Sequence, residues 1–210
     1  GDYEYMQKLV FTGAKYSFFL VLFFSLPLCL ETKTILTLWL QQVPDYSVPF
    51  VRLTLLSTMM FVLGNTLTTS QNATGKIRKY AIVTSLFTFI EFPVTLIFYK
   101  IGFSPISTYI IHIIVYTSLI FVKIHLVRDY IYITYLQYIQ HVLLKVFAVS
   151  VVSAIIPLIV YLYMNDSLSR LFLVCLISVL STSCCICFIG MECNERKAAF
   201  MFLKNRIARK

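Results

Sequence analysis

The sequence predicts an all-α protein, a polytopic transmembrane helix bundle of about six spans, and three observations support this. Hydrophobic residues make up 59% of the 210 residues and charged residues 13%, whereas an average soluble domain has about 25% charged residues. The apolar residues form six runs, at 9–30, 49–69, 80–99, 105–122, 143–163 and 169–190. Each run has 18 to 22 residues, the length at which a helix rising about 1.5 Å per residue crosses a hydrocarbon core of about 30 Å.

The runs exclude most charged side chains, so the few that lie inside them are informative. These are Lys15, Arg52, Glu91, Lys145 and Arg170. Glu91 stands near the middle of the third run, where an acid costs about 2.5–3.5 kcal/mol on insertion scales. We therefore expect Glu91 to face a cavity or a coupling site, with His112 of the fourth run as its candidate partner. The alternatives are a pairing that only holds neighbouring helices together, and a third span with different boundaries.

Helix-breaking and polar residues also lie in several runs. Pro27, Pro93 and Pro157 each remove an intrahelical hydrogen bond and mark candidate kinks. The end of the second run is unusually polar, with the small or polar residues Gly64, Asn65, Thr66, Thr68, Thr69 and Ser70. Such residues either let helices approach and form hydrogen bonds or line a water-filled path. Among them, Asn65 is the residue that we predict to lie in a cavity.

The segments between the runs are amphipathic or basic. The outer connection 31–48 contains Trp39 and Tyr46, which favours a position at the membrane interface. Residues 126–142 mix four tyrosines with Ile and Leu, and we predict an amphipathic cytoplasmic connector there. The chain thus divides into 1–125 with four spans, the connector 126–142, 143–190 with two further spans, and a basic cytoplasmic tail at 191–210 that rests on anionic lipid.

Lysines and arginines are concentrated on one side of the predicted membrane. If the helices alternate in direction, 14 of the 18 lie in or beside the segments 1–8, 70–79, 123–142 and 191–210. The other four are Lys33, Arg52, Lys100 and Arg170. Because positively charged loops remain in the cytoplasm, both termini of this segment are predicted to be cytoplasmic.

Several functions that isolated features suggest are excluded by spacing. The net charge of +9 could indicate nucleic-acid binding, but the basic residues form no stripe with interleaved aromatics. Residues 73–76, Ala-Thr-Gly-Lys, lack the upstream glycine and the following Ser or Thr of a phosphate-binding loop. Cys184, Cys185 and Cys187 are too closely spaced on one helix to converge on a metal. We therefore predict no enzyme, no catalytic or metal-binding residue, no cofactor and no nucleic-acid partner.

Short motifs follow one another across residues 1–125. They are Gly1-Asp2 with Met6, Gly13-Ala14-Lys15-Tyr16-Ser17, Ile35-Leu36 and Trp39-Leu40 with Val43-Pro44, Ala73-Thr74-Gly75-Lys76-Ile77 with Tyr80, Pro93, and Gly102 with Ser104-Pro105. In their order and spacing they resemble the C-terminal half of bacterial polysaccharide flippases of the O-antigen and capsule type. Those flippases belong to the multidrug/oligosaccharidyl-lipid/polysaccharide exporter superfamily. The last two spans resemble the family in hydropathy alone.

The resemblance implies the C-terminal lobe plus two extra helices of a fourteen-helix flippase. Members of the family move undecaprenyl-pyrophosphate-linked oligosaccharide across the bacterial inner membrane by alternating access, for surface polysaccharides such as lipopolysaccharide. The resemblance also implies contact with the lipid bilayer and with an N-terminal lobe of the same polypeptide, which fits a chain that begins at Gly1 rather than Met. Lys15 and Arg52 are the cations that it implies in the substrate-binding cavity.

Two other interpretations stay open. A drug exporter of the same superfamily would share the fold and the alternating-access mechanism. A non-transporting membrane subunit, or an inert fragment, would use Glu91 and Asn65 only to hold helices together. In such a subunit the polar side chains would face one another between helices. In a transporter they would face an accessible path.

Single cysteines placed in a cysteine-free version test the predicted topology. Because of the charge asymmetry, Lys76→Cys and Lys204→Cys are expected to stay protected from an impermeant thiol reagent in intact cells, whereas Asp45→Cys and Asp166→Cys are labelled. Labelling of position 76 from outside, with position 45 protected, would contradict the assignment.

Overall fold

Six long apolar helical segments make up the computed structural model, which describes residues 3–40, 42–192 and 195–196. They are Tyr3–Leu30, Ser47–Ala73, Ile77–Lys100, Ile106–Ile131, Tyr135–Tyr163 and Leu168–Gly190, called below the first to sixth spans. Each has 23 to 29 residues, and no strand occurs in the described part of the chain. The predicted all-α bundle with six helices of membrane-spanning length is confirmed.

Most spans contain more than one helical segment. The first span is α1 (Tyr3–Leu30), and the short helix α2 (Thr32–Trp39) follows it. The second span joins α3 (Ser47–Leu63) to α4 (Asn65–Ala73), and the third joins α5 (Ile77–Phe89) to α6 (Glu91–Lys100). The fourth is α7 (Ile106–Ile131). The fifth consists of α8 (Tyr135–Tyr138), a π-helical segment (Ile139–Leu143) and α9 (Leu144–Tyr163), and the sixth of α10 (Leu168–Cys185) and a second π-helical segment (Ile186–Gly190).

The first span is the centre of the bundle. Helix α1 packs against α3, α4, α9 and α10, and the last two also pack extensively on each other. Ala14, Phe18 and Leu22 lie on its buried face, at the spacing of one helix stripe. Gly13 permits a close approach of α4, because a Cβ atom at this position would lie 2.9 Å from Cγ2 of Thr66. The core of the molecule therefore follows the length of α1.

The third span is the most loosely packed. Its main contacts are with α7, and it meets α4 over a shorter stretch. In the most apolar stretch of the third span only 6% of the residues are buried, compared with 44% in the corresponding stretch of the first span. Large apolar side chains such as Leu86, Phe92 and Ile97 are exposed along it. In a bilayer, lipid would cover these side chains without any helix beside them.

The segment 126–142 differs from the predicted surface connector. Helix α7 continues to Ile131, and Tyr132 then turns the chain in the left-handed region with φ 57°. Thr134 begins the fifth span with a capping box to Gln137. Tyr138 is fully buried rather than interfacial, because buried residues of α7 and of the fifth span extend the hydrophobic core through this segment. Of the predicted basic tail at 191–210, only residues 191–192 and 195–196 lie within the described part of the chain.

Two spans are interrupted. In the third span α5 ends at Phe89 and α6 begins at Glu91, because Pro93 has no N–H to give to the Phe89 carbonyl four residues earlier. In the second span α3 ends at Leu63 and α4 begins at Asn65, with Gly64 between them. The other two prolines that were predicted to kink a span, Pro27 and Pro157, lie inside continuous helices. Both interruptions fall in the spans that pack on α7.

A buried ion pair joins the first and sixth spans at the end opposite Tyr132. Arg170 Nε donates to Glu31 Oε1 at 2.8 Å, and Nη2 donates to Oε2 at 3.1 Å. Glu31 is 0% exposed and Arg170 4%. The second carboxylate oxygen also accepts from Thr34 Oγ1 at 2.6 Å, and Arg170 Nη1 donates to Asp166. Such a pair is stable in an apolar interior only because its remaining donors and acceptors are satisfied.

Arg170→Met is expected to destabilise the protein by about 3–5 kcal/mol, because it leaves the Glu31 carboxylate buried without a counter-ion. Thermal unfolding in detergent measures this as a lowered Tm. The double variant Glu31→Leu/Arg170→Met should recover part of the loss, since no buried charge then remains in the pair.

Lys33→Met removes a cation from the same end of the bundle without touching the pair, and its Tm should match that of the unchanged protein. A wild-type Tm for Arg170→Met would show that the pair contributes nothing.

Candidate functional site

A groove of about 850 Å³ lies between the second, third and fourth spans. Its wall combines hydroxyl, amide and charged groups with aromatic rings. The second span contributes Phe61, Asn65 and Thr68, the third Tyr80, Thr84, Ser85, Thr88, Phe89, Glu91, Phe92 and Thr95, and the fourth Thr108, Tyr116, Leu119 and Lys123. The loose packing of the third span leaves this space open. A groove with this volume is in the range of small-molecule and cofactor sites.

A polar stripe on the third span forms one wall of the groove. Tyr80, Thr84, Thr88, Glu91 and Thr95 follow one another at intervals of four, four, three and four residues, which places them on one helix face. The Thr84 and Thr88 hydroxyls donate to carbonyls of their own helix, and the buried Thr95 hydroxyl has no partner in the described chain. Sequence reasoning missed the stripe, although its helical spacing could have revealed it.

Glu91, which lines the groove, is paired with His112 of the fourth span. Glu91 Oε1 lies 2.8 Å from His112 Nδ1, and the His112 ring lies 4.3 Å from the Tyr116 ring, centroid to centroid. Both side chains keep part of their surface exposed, 21% for Glu91 and 31% for His112. The structure thus brings together the two residues that the sequence offered as partners, and the acid is at the groove rather than closed off inside the bundle.

Lys123 lies on the same face of α7 as His112 and closes the other end of the groove. Its ammonium donates to the Gly64 carbonyl at 3.3 Å, and the neighbouring Leu63 carbonyl accepts from Tyr138 at 2.6 Å. Two side chains from other spans thus satisfy carbonyls at the break between α3 and α4. A Cβ atom at Gly64 would lie 3.1 Å from the Lys123 nitrogen, so a larger residue there would displace the lysine side chain slightly. Asn65 follows directly and lines the groove.

Lys15 lies outside the groove and faces carboxylates of the chain itself. It is 2% exposed, with its ammonium 3.6 Å from Glu195 Oε2 and 3.9 Å from Glu192 Oε1. Lys145 of the fifth span binds the same Glu192 oxygen at 2.7 Å. This cluster attaches the segment after the sixth span to α1 and α9.

The two carboxylates of this cluster are held in their charged form. The hydrogen bond from Lys145 lowers the pKa of Glu192. Burial alone would raise the pKa of Glu195, but it is lowered overall because the carboxylate accepts from the Glu192 amide at 2.9 Å and faces Lys15. The Tyr16 hydroxyl also donates to Glu195, at 3.2 Å.

Arg52 binds the end of α1. Its Nε donates to the Cys29 carbonyl at 2.8 Å and its Nη2 to the Leu30 carbonyl at 3.3 Å. These are carbonyls of the last turn, which have no partner inside the helix. Of the predicted site residues, Glu91 and Asn65 line the groove, and His112 lies beside Glu91. The structure places Lys15 and Arg52 elsewhere, each against acceptors of the protein itself.

Sequence analysis predicted neither a metal-binding nor a catalytic residue. Within the described residues, no group of three or more His, Cys, Asp or Glu side chains could hold a metal ion. The chemistry that the groove offers is the binding of a polar or charged solute beside apolar surface.

In comparisons with known protein families, curated proteins and solved structures, this chain has no match. What the chain does must therefore follow from the groove, its charges and the sequence resemblance.

The attachment of the C-terminal segment is expected to depend on pH. The pKa values of Glu192 and Glu195 are lowered from 4.5 in the folded protein, so their contribution to stability is complete above about pH 4.5 and is lost as pH falls further. The variant Glu192→Gln/Glu195→Gln should therefore unfold a few degrees below the unchanged protein at neutral pH. The difference in Tm should shrink at more acidic pH.

Asp129→Asn is the matched control, because the Asp129 carboxylate is 73% exposed and should give the same Tm as the unchanged protein. An equal Tm for the double Glu variant at neutral pH would mean that the cluster does not hold the segment.

Proposed function

We propose that this chain forms part of a membrane transporter that moves a lipid-linked oligosaccharide across the inner membrane by alternating access, for cell-surface polysaccharide synthesis. One observation carries the proposal: the polar stripe of the third span lines a groove, and Glu91 within it stays partly exposed although it is bonded to His112. An ionisable residue inside a membrane span is costly and marks a solute or ion pathway by default. The transport role of Glu91 expected from the sequence is thereby supported over pairing alone.

The hydrogen bonds of the stripe support a path rather than an adhesive surface. If its hydroxyls only held helices together, they would bond across to the next span. Thr68 and Tyr80 do so, at 2.8 Å, but Thr84 and Thr88 bond to their own helix. These hydroxyls keep acceptor capacity on the side of the groove, where a polar solute would find it.

The mixed lining fits an amphipathic substrate. Phe61, Phe89 and Phe92 supply apolar surface beside the polar stripe, and the loose packing of the third span leaves the groove accessible from the side where lipid would lie. The family resemblance adds the chemical identity, undecaprenyl-pyrophosphate-linked oligosaccharide, and the N-terminal lobe that would complete the cavity. A drug exporter would use the same groove with a different solute.

The two interruptions supply points at which the spans could bend. Both lie in spans that line the groove, at Gly64 and at Ile90. Broken helices in transporters form binding sites and let one part of the bundle move against another. We infer that α4 and α5, on one side of these breaks, move relative to α3 and α6.

The exposed third span also favours one alternative. A non-transporting subunit would use the apolar face around Leu86 and Phe92 to bind a helix of another protein, and the polar stripe would have no role in moving a solute.

Glu91→Gln and His112→Gln in the full-length protein separate these functions. Each removes a charge-assisted hydrogen bond of about 1.5–3 kcal/mol, so we expect the export of surface polysaccharide to fall roughly tenfold or more in cells that lack the unchanged copy. Surface polysaccharide is measured together with the amount of protein in the membrane.

Asp45→Asn, in an exposed connection, should leave export unchanged. Normal export by both groove variants at normal membrane levels would contradict the proposed transport role and favour the subunit.

A further inference from the structure

Lys123 differs from the other buried cations of the bundle in having no counter-ion. It is 6% exposed, and its ammonium has one hydrogen bond, to the Gly64 carbonyl at 3.3 Å. Lys15 and Arg170, which are buried to a similar degree, each face two carboxylates. Among the residues that the structure describes, no carboxylate lies within 4.0 Å of the Lys123 nitrogen.

The unpaired ammonium has binding capacity left. An ammonium carries three donors, and the described contacts use one of them, in a long bond to a neutral carbonyl. A buried charge without a counter-ion is unfavourable, so an anion that reached it would gain a charge-assisted hydrogen bond without first displacing a protein carboxylate. Lys15 could bind the same anion only after Glu192 and Glu195 had left it.

The residues around Lys123 indicate which kind of anion would bind there. The groove places Asn65 of the second span and the linked hydroxyls of Thr68 and Tyr80 in the same wall. The Thr68 hydroxyl already donates to the Gly64 carbonyl at 3.2 Å, so the Asn65 amide is the neutral donor that this part of the groove offers, with the Lys123 ammonium, to the oxygens of a phosphoryl group. Phe61 also lies close, with its ring centroid 6.0 Å from the Lys123 nitrogen, so apolar surface borders the charged site.

The geometry points to an anion-binding site at Lys123 for the phosphoryl headgroup of an amphiphilic molecule, whose apolar part leaves the groove past the third span. This inference rests on the proposed function and deepens it, because it assigns the headgroup to a residue that neither composition nor resemblance had singled out. It also assigns an orientation. Eleven residues of α7, roughly 16 Å of helix, separate Lys123 from His112, so the anionic headgroup lies well away from the carboxylate of Glu91.

Native mass spectrometry of the full chain in neutral detergent tests the site. The probes are phosphatidic acid, with a phosphomonoester headgroup, and phosphatidylcholine with the same acyl chains. The unchanged protein should bind one phosphatidic acid in preference, and Lys123→Gln should weaken that binding by roughly tenfold or more, as the loss of a charge-assisted hydrogen bond requires. Lys123→Arg keeps the charge and should retain the preference.

Lys145→Gln is the matched control for charge, because Lys145 is bound to Glu192 and should not contribute. Equal binding by Lys123→Gln and the unchanged protein, or an equal loss in Lys145→Gln, overturns the proposal.

A second pair of variants leaves Lys123 in place, in case its replacement prevents folding. Ser85 is exposed and lines the groove, whereas Leu86 is exposed and does not line it. Ser85→Trp should therefore block the binding of phosphatidic acid and Leu86→Trp should not. Equal binding by both variants contradicts a site inside the groove.

Competition by inorganic pyrophosphate tests whether the site binds a free phosphoryl anion or requires the headgroup of a lipid. If it competes with phosphatidic acid in a Lys123-dependent manner, the phosphoryl group alone is recognised and a free anion is a ligand. If phosphatidic acid binds through Lys123 and pyrophosphate does not compete, the site requires a lipid. Because binding is measured without transport, a protein that binds through Lys123 but exports no polysaccharide would retain this site and lose the proposed function.

Discussion

A charge taken out of water must be compensated by a partner, and this requirement accounts for how the spans are joined. Burying an ion costs several kcal/mol even after the protein relaxes. In the described structure Arg170 is compensated by Glu31, and Lys15 by Glu192 and Glu195. Each of these pairs ties the first span to the sixth span or to the segment that follows it. One pair lies near the middle of α1 and the other just beyond its C-terminal end, so α1 is fixed as the axis of the bundle, and buried apolar residues such as Phe18 and Leu22 pack between the two pairs.

The same requirement separates the structural part of the bundle from the part that can act on a solute. Where partners are complete, as around Arg170, no donor is left for a ligand. Around the groove the partners are incomplete: Thr95 has no hydrogen-bond partner among the described groups, Lys123 donates only to Gly64, and Glu91 keeps part of its surface exposed. The third span, which packs least, carries most of these groups. Binding capacity and loose packing therefore occur together, as expected where a site must open and close.

The sequence predicted the fold because the hydrophobic effect acts on local composition, so six apolar runs gave six spans. It also offered Glu91 with His112, since an acid in mid-span needs a partner and the adjacent span held a candidate. It did not predict the Glu31–Arg170 pair, whose members are 139 residues apart and share no local pattern. Nor did it distinguish Lys123 from the basic residues around it, because charge counting records where a lysine lies along the chain but not whether a carboxylate reaches it. The burial of Tyr138 was missed for a related reason, as an aromatic residue near a span end fits an interface and a core equally well.

The π-helical segments of the last two spans determine which partners their ends can reach. A π turn accommodates one residue more than an α turn, and one residue corresponds to about 100° of rotation around the axis. Side chains beyond Ile186–Gly190 therefore emerge in a different direction from the one that an uninterrupted α-helix would give them. Glu192 follows that segment after one extended residue, Met191, and its carboxylate meets Lys15 and Lys145. The direction in which the sixth span ends therefore contributes to bringing an acid to the cations of the first and fifth spans.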